Sequence, residues 1–366
     1  MASKSKLEYC PEQITPPGDI LLELLVERGM TQANLARRTG ISDKTVNEVV
    51  RGKSELTRDT AIQLERVLGV PARYWNSHEA LYRSQLKLAK EGTVLLRNRE
   101  WLKSFPIPEL QRRKILPDTG DKTVLIRALY SFLGIASEKA WNDVYQMPQV
   151  SFRKSNAVKV TPYLLAVWMR EGELKAQKIA CRPYDEEKFR AGVAGPMRQL
   201  TNERNPNVFL PALAEIAARA GVAVVVVKEY PGLGVSGISC WLQPQKAMIQ
   251  LSLRYKSDHQ FWFSFFHEAW HVLYDKKRNV NVDNVFDAKE HESDAERTAD
   301  RYAAEVLIPP SQYALFVAKG DYTERSVVEF AKRIKTTPGI LVGRLQHDGH
   351  LPWNRFHHLM VKYEWV

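Results

Sequence analysis

The feature that most constrains this chain is a pair of histidines one helical turn apart, in the motif HEAWH at residues 267–271. Because an α-helix turns by about 100° per residue, His267, Glu268 and His271 fall on one arc of a helix surface. The opposite face is apolar, which predicts a buried amphipathic helix over Asp258–Tyr274. The apolar residues of that face are Phe265, Ala269 and Val272.

This motif has two interpretations. Two imidazoles at this spacing can bind one Zn²⁺, and the carboxylate of Glu268 can then act as a general base on zinc-bound water. The alternative is a structural helix with two core histidines and a surface glutamate. The clear amphipathic pattern around the motif favours the metal site.

A catalytic zinc ion needs a third protein ligand and one open position, and the segment Glu292–Pro309 can supply that ligand. As a helix, this segment places the small residues Ala299 and Ala303 where a second helix can approach closely. Glu296 on the same face can then reach the metal, and Asp300 one turn later can hold a ligand imidazole by its free N–H. Three competitors for the third ligand remain: His291, Glu292 and Asp294.

Both segments resemble the ImmA/IrrE family of metallopeptidases, in FFHEAWHVLY and in ERTADRYAAEVLIP. The resemblance covers about residues 155–350 and implies a zincin-like α+β fold. Two departures are Trp270, where the family commonly has a small residue, and Asp300, where it commonly has Asn. The resemblance implies that His267, His271 and Glu296 are the zinc ligands and that Glu268 is the base.

A second pattern, near the N-terminus, is typical of a helix-turn-helix. Thr31 can cap a helix over Gln32–Thr39, which ends at Gly40, and Ser42 can cap a second helix over Asp43–Val50. The second helix exposes side chains able to meet base edges or phosphates in a major groove. Geometry alone leaves open a helical bundle with no DNA role. The predicted DNA-contacting residues are Gln32, Ser42, Lys44, Thr45, Asn47, Arg51 and Lys53, with Lys44, Thr45 and Asn47 at the bases.

Most of residues 16–80 resemble the Xre-type helix-turn-helix of HigA-like antitoxins. The matching features are the Pro17–Gly18 start, the TQANLA pattern at Thr31–Ala36, RGK at Arg51–Lys53, and the helix that ends at Gly69. The resemblance implies that the protein binds a double-stranded DNA operator through the Asp43–Val50 helix. It also implies that the protein binds a palindromic site as a homodimer.

Length and charge set broad limits on the chain. Its 366 residues suffice for two or three domains, and its net charge is +11. The excess lies in residues 81–200, with 22 basic and 12 acidic residues, which is either a solvated surface or an attraction for nucleic acid or an acidic partner. No apolar run approaches the length of a membrane span, and the three cysteines are scattered. We therefore expect a cytoplasmic protein with no membrane partner.

Together these patterns predict a multi-domain chain. It has an all-α helix-turn-helix domain at 1–85, a helical connector at 86–155 and an α+β zincin-like metallopeptidase domain at 156–366. Three apolar segments before the histidine helix predict a small meander of strands. These segments are Val222–Glu229, Ser236–Gln243 and Lys246–Leu253, and further helices are predicted at Pro108–Leu116 and Phe209–Ala220.

Two functions are compatible with this organisation. In the first, the chain is a DNA-binding transcriptional regulator or antitoxin with a zinc-dependent endopeptidase domain. The family resemblance implies stress, mobile-element or toxin–antitoxin control, with an Xre-type repressor as a candidate substrate and a toxin as another candidate partner. In the second, the zincin-like domain cleaves nothing and only senses a signal or binds a toxin. The complete motif favours the first, since a site that only binds zinc has no need of Glu268.

Overall fold

The computed structural model shows two compact units, Met1–Glu100 and Trp101–Val366. The described residues are 15–95, 99–145, 161–253, 256–275 and 292–363. Within these ranges, no helix is long and apolar enough to cross a membrane. The domain boundaries expected at 85 and 155 stay predictions.

The N-terminal unit is helical, and three of its helices begin at hydroxyl caps. The side chains of Thr31, Ser42 and Thr57 each accept a hydrogen bond from a backbone N–H in the first turn of the following helix. Gly40 ends the second helix with a φ of 76°, a conformation that favours glycine. The helices are α1 (Pro17–Glu27), α2 (Gln32–Thr39), α3 (Asp43–Val50), α4 (Arg58–Leu68) and α5 (Ala72–Leu95).

The core of this unit supports α3 from behind. Leu35 of α2 and Trp75 of α5 are fully buried, and Val46 and Val49 place one side of α3 in the same core. At the start of α1, Gly18 lies so close to the end of α3 that a Cβ on it would be 2.3 Å from the carbonyl oxygen of Val50. This approach requires glycine, and it fixes α3 on its support.

The C-terminal unit is rich in helices around one small sheet. The helix predicted at Pro108–Leu116 begins at Ile107 and ends at Arg112, because Lys114 turns to a φ of 58° and breaks the helical ladder. The helix predicted at Phe209–Ala220 begins earlier, at Pro206, where Asn205 caps it. The helices before the sheet are α6 (Arg99–Leu102), α7 (Ile107–Arg112), α8 (Lys122–Leu133), α9 (Glu138–Tyr145), α10 (Pro162–Gln177), α11 (Glu186–Gly192) and α12 (Pro206–Ala218).

The sheet corrects the predicted meander. Its strands are β1 (Val222–Val226), β2 (Gly237–Gln243) and β3 (Lys246–Leu251), in the order β1-β3-β2. β2 and β3 form the expected antiparallel hairpin, but β1 pairs with β3 in parallel, with Val222 opposite Ala247. The connection between β1 and β2 is long enough to carry the chain past β3, so the apolar β3 becomes the central strand.

Two helices after the sheet carry the predicted metal ligands. α13 spans Asp258–Tyr274, as predicted, and α14 spans Glu292–Leu307. The large aromatic residues Trp262, Phe265 and Phe266 of α13 are fully buried in the main core of this unit. Three further α-helices follow among the described residues: α15 (Pro310–Lys319), α16 (Glu324–Arg333) and α17 (Pro338–His347).

Candidate metal centre and candidate DNA-binding surface

The close packing of α13 on α14 brings the predicted ligands together. Ala299 and Ala303 are fully buried on the face of α14 that was predicted to meet another helix. Without long side chains between the two helices, Glu296 reaches across to the histidines of α13. His267, His271 and Glu296 offer one ligand atom each, all within 4.8 Å of one another.

The spacing of these atoms fits a tetrahedral metal ion. The Nε2 atoms of His267 and His271 lie 3.3 Å apart, and each lies 3.2 Å from an oxygen of Glu296. Ligands at the usual zinc distance of about 2.0–2.1 Å, arranged as a tetrahedron, are separated by about 3.3 Å. The donor set of two imidazoles and one carboxylate is also one that zinc prefers. The residues therefore fit a zinc ion and leave one coordination position free.

Asp300 lies behind the first histidine, as predicted. Its Oδ1 is 2.9 Å from Nδ1 of His267. When Nδ1–H donates to this carboxylate, Nε2 is left as the free lone pair that a metal needs. Asp300 is therefore placed where it can orient the ring and favour the tautomer with its proton on Nδ1.

The acidic and imidazole groups of the centre shift one another's pKa values through hydrogen bonds. Burial alone would lower the pKa of His267, but hydrogen bonds to Asp300 and Glu296 raise that pKa to about 10. Burial alone would raise the pKa of Glu296, but hydrogen bonds from both histidines lower it well below its usual range. A carboxylate that stays ionised among imidazoles is an arrangement suited to a cation.

Glu268 lies beside the ligands and is held from the sheet. Its side chain is buried, and its Oε2 accepts a hydrogen bond of 2.7 Å from the hydroxyl of Ser239 on β2. Gly237 of the same strand leaves room for the carboxylate. Sequence reasoning missed both strand residues, although the alternation of small residues in GISC was a visible signal.

The remaining residues around the motif have different surroundings. The ring of Trp270 meets that of His271 edge-on, with centroids 5.1 Å apart, so this departure from the family lies next to a ligand. Of the competing ligands, Asp294 has a side chain that is 86% exposed and paired with Arg297. His291 and the side chain of Glu292 lie outside the described residues.

The predicted DNA surface lies on α2 and α3. The side-chain amide of Asn47 donates to Oε1 of Gln32 at 3.3 Å, so these two predicted contacts form one unit across the turn. The hydroxyl of Ser42 caps α3 through the N–H of Thr45 and also bonds the Thr45 hydroxyl. Ser42 therefore has a local role in starting the helix, alongside its predicted role at DNA.

The basic residues of this surface are accessible. The Lys44 side chain is 84% exposed and lies 3.9 Å from Glu48, a distance that makes a weak surface pair. Arg51 and Lys53 follow the end of α3 and are exposed. Exposed basic side chains next to a polar helix are suited to contact phosphates.

The geometry thus defines a chain with a helix-turn-helix unit and a unit with a metal-ligand cluster on a helix pair. Residues 21–75 match the family described as Helix-turn-helix, and residues 209–346 match the IrrE N-terminal-like domain, a peptidase family. Virulence-associated protein I of Dichelobacter nodosus is 36% identical over 76 residues, which are 20% of this chain and 68% of that protein. The chain belongs to the helix-turn-helix family through its N-terminal unit, and it carries a peptidase-like IrrE N-terminal-like domain.

Two solved structures with similarity to part of this chain are described as an antitoxin and an antidote protein. One is the antitoxin HigA of Pseudomonas aeruginosa with the higBA promoter, 32% identical, covering 23% of this chain and 91% of that chain, with a TM-score of 0.22. Another is an addiction module antidote protein of a HigA family from Coxiella burnetii, 27% identical, covering 23% and 94% of the two chains, with a TM-score of 0.22.

Proposed function

We propose that this chain is a DNA-binding transcriptional regulator whose C-terminal unit is a zinc-dependent endopeptidase. The observation that carries the proposal is the triangle of three ligand side chains, His267, His271 and Glu296. The two Nε2 atoms lie 3.3 Å apart and each lies 3.2 Å from a different oxygen of Glu296, and the buried carboxylate of Glu268 is on the helix of the two histidines. A pair of core histidines would not need a third ligand at tetrahedral spacing or an acid behind the first ring.

Each residue of the centre has one task in this proposal. His267, His271 and Glu296 hold the zinc ion, and Asp300 keeps the His267 ring in the binding tautomer. Bound zinc supplies a Lewis acid that polarises the peptide carbonyl and makes water a better nucleophile. Glu268 accepts the proton of the attacking water at a carboxylate oxygen and can return it to the leaving amine.

The N-terminal unit directs the chain to an operator. Residues 31–53 have five basic and two acidic groups, so the segment that carries α3 is positive, although residues 1–80 as a whole have no net charge. We infer that Lys44, Thr45 and Asn47 contact bases, and that Gln32, Arg51 and Lys53 contact the backbone. We also infer a homodimer, because a palindromic operator presents two half-sites to two identical recognition helices. We infer a cytoplasmic location, because the proposed operator DNA is found there.

The substrate class follows from the combination of units. A peptidase attached to an operator-binding unit reaches a high local concentration at other proteins on the same DNA. We therefore propose a DNA-bound regulatory protein as the substrate, with an Xre-type repressor as the first candidate and a toxin as the second candidate partner.

The test is cleavage by purified protein. The zinc-loaded chain is incubated with each protein encoded beside its gene, and products are identified by mass spectrometry. Glu268→Gln keeps the side-chain shape and removes the base, so we expect retained zinc and cleavage slower by at least about 10²-fold. The matched control is Glu305→Gln, an exposed acid on α14, which should cleave like the parent.

Two results would contradict the proposal. If Glu268→Gln cleaved at the parental rate, Glu268 would not be the base. If the zinc-loaded parent cleaved none of these proteins while still binding a toxin among them, the C-terminal unit would be a binding module.

A further inference from the structure

The strand β2 presents small residues to the histidine helix. Side chains alternate along a strand, so Gly237, Ser239 and Trp241 lie on one face of β2. Trp241 on this face belongs to the main core together with the buried aromatic residues of α13. Gly237 and Ser239 continue the same face toward Glu268.

Ser239 makes a direct contact with the proposed base. Its Oγ lies 2.7 Å from Oε2 of Glu268, the distance of a strong hydrogen bond to a carboxylate. Ser239 is half-buried and Glu268 is 9% exposed, so water competes poorly for this contact. A hydroxyl donor that faces an ionised acid fixes one of its two oxygens in space.

Gly237 sets the other limit on the carboxylate. A Cβ at this position would lie 3.0 Å from Cγ and 3.1 Å from Oε1 of Glu268, which is closer than ordinary contact. The strand therefore receives the carboxylate at a site where a larger residue would push it away. One strand residue donates to the acid and another leaves space for it.

We propose that Ser239 is the positioning residue of Glu268, and that Gly237 makes room for the arrangement. The proposal rests on the proposed zinc site, and it concerns orientation. A free glutamate side chain populates several rotamers, and the Ser239 hydroxyl removes part of that freedom before a ligand arrives. Without it, Glu268 would spend less time beside the open coordination position.

A ligand probe can report this orientation without any peptide substrate. Acetohydroxamate chelates a metal ion and has an N–H and an O–H that can donate to a nearby carboxylate. The cobalt-loaded full chain is titrated with acetohydroxamate, and binding is followed by the visible absorption of Co²⁺. The variants are Ser239→Ala, Ser239→Thr, Glu268→Gln and the double variant Ser239→Ala with Glu268→Gln.

The expected result is a coupling between the two positions. Ser239→Ala should weaken acetohydroxamate binding by about 5–10-fold, the range for loss of one positioned hydrogen bond. Ser239→Thr keeps the hydroxyl and should remain within about twofold of the parent. In the Glu268→Gln background, Ser239→Ala should have little further effect, because the neutral amide accepts a weaker hydrogen bond from Ser239 and offers the hydroxamate no charged acceptor.

Three outcomes would overturn the proposal. The first is parental binding by Ser239→Ala, and the second is an equal loss with and without Glu268, which would show a purely structural role. The third is a chain that binds no cobalt, which would refute the zinc site as well. A chain that binds cobalt and shows the coupling but cleaves nothing would support the Ser239 proposal while the peptidase proposal fails.

Discussion

The proposed recognition surface of α3 and the candidate metal centre of α13 and α14 differ in how far their polar side chains are exposed. On α3, the Lys44 side chain is 84% exposed and forms a weak surface ion pair with Glu48. In the metal centre, His267 and Glu268 are buried, and they hydrogen-bond to Asp300 and Ser239. The polar groups of α3 are accessible to a ligand from solvent, whereas those of the candidate metal centre already hydrogen-bond to one another.

This difference teaches where function and stability are linked. An exposed side chain can be removed from α3 with little change in the free energy of unfolding, since no buried partner is left unpaired. A side chain removed from the metal centre leaves a buried polar partner behind, which costs about 1–3 kcal/mol. DNA binding should therefore be tunable by mutation, whereas changes at the metal centre should alter folding and binding together.

Removal of the metal should give the largest effect on stability, and this effect should be confined to the C-terminal unit. The unfolded chain does not hold His267, His271 and Glu296 together, so zinc binds the folded form and stabilises it by about 4 kcal/mol at 1,000 times its Kd. Addition of a chelator should lower hydrogen-exchange protection in the C-terminal unit and leave α1–α4 unchanged. Equal loss of hydrogen-exchange protection in both units, or no loss in either, would contradict the proposed metal-dependent stability of the C-terminal unit.

Asp300→Ala should give the next largest effect. It leaves Nδ1 of His267 without its acceptor and should reduce zinc affinity by about 10–100-fold, as measured by competition with a chelating dye. Asp294→Ala is the matched control, because that side chain is 86% exposed and outside the ligand triangle. If Asp300→Ala bound zinc with the parental affinity, Asp300 would have no role in orienting the His267 ring.

Asn47→Ala should change DNA discrimination and leave stability nearly intact. We expect a loss of about 1–3 kcal/mol of discrimination at one base pair, from binding to single-substitution operators at fixed salt. The free energy of unfolding should stay within about 0.5 kcal/mol. A uniform loss on all sequences would instead assign Asn47 to supporting Gln32, to which it donates.

Lys53→Ala should give the smallest effect, spread over all sequences. Loss of one phosphate contact should reduce the slope of log K against log salt by about one unit, without altered sequence preference. Lys87→Ala on α5, which is also exposed, serves as the charge-matched control and should keep the parental slope. If both variants changed the slope equally, the general charge of the unit would explain the effect.

Local signals allowed accurate prediction of the helices that carry function. The bounds of α2 and α3 agree with prediction, because Thr31, Ser42 and Gly40 cap them through neighbouring residues. The bounds of α13 also agree, since its aromatic pattern repeats at helical spacing. The parallel pairing of β1 with β3 was not predictable in this way, because it depends on how a loop returns the chain.

The centre was predictable in part for the same reason. The two histidines are neighbours on one helix, and the small face of Ala299 and Ala303 indicated which later helix would pack there. The contact of Ser239 with Glu268 joins residues 29 positions apart through sheet register. Register is set by tertiary packing, so the alternation of small residues in β2 could indicate a narrow strand face but not the residue that packs against it.

Zinc stoichiometry tests the central claim most directly. Elemental analysis of the purified chain should give one zinc per chain for the parent and for His347→Ala, whose side chain is 74% exposed and outside the ligand triangle. His271→Ala should give close to none, since two remaining protein ligands bind zinc poorly. A parent without zinc, or a His271→Ala variant with the parental zinc content, would contradict the assignment of His267, His271 and Glu296 as the metal centre.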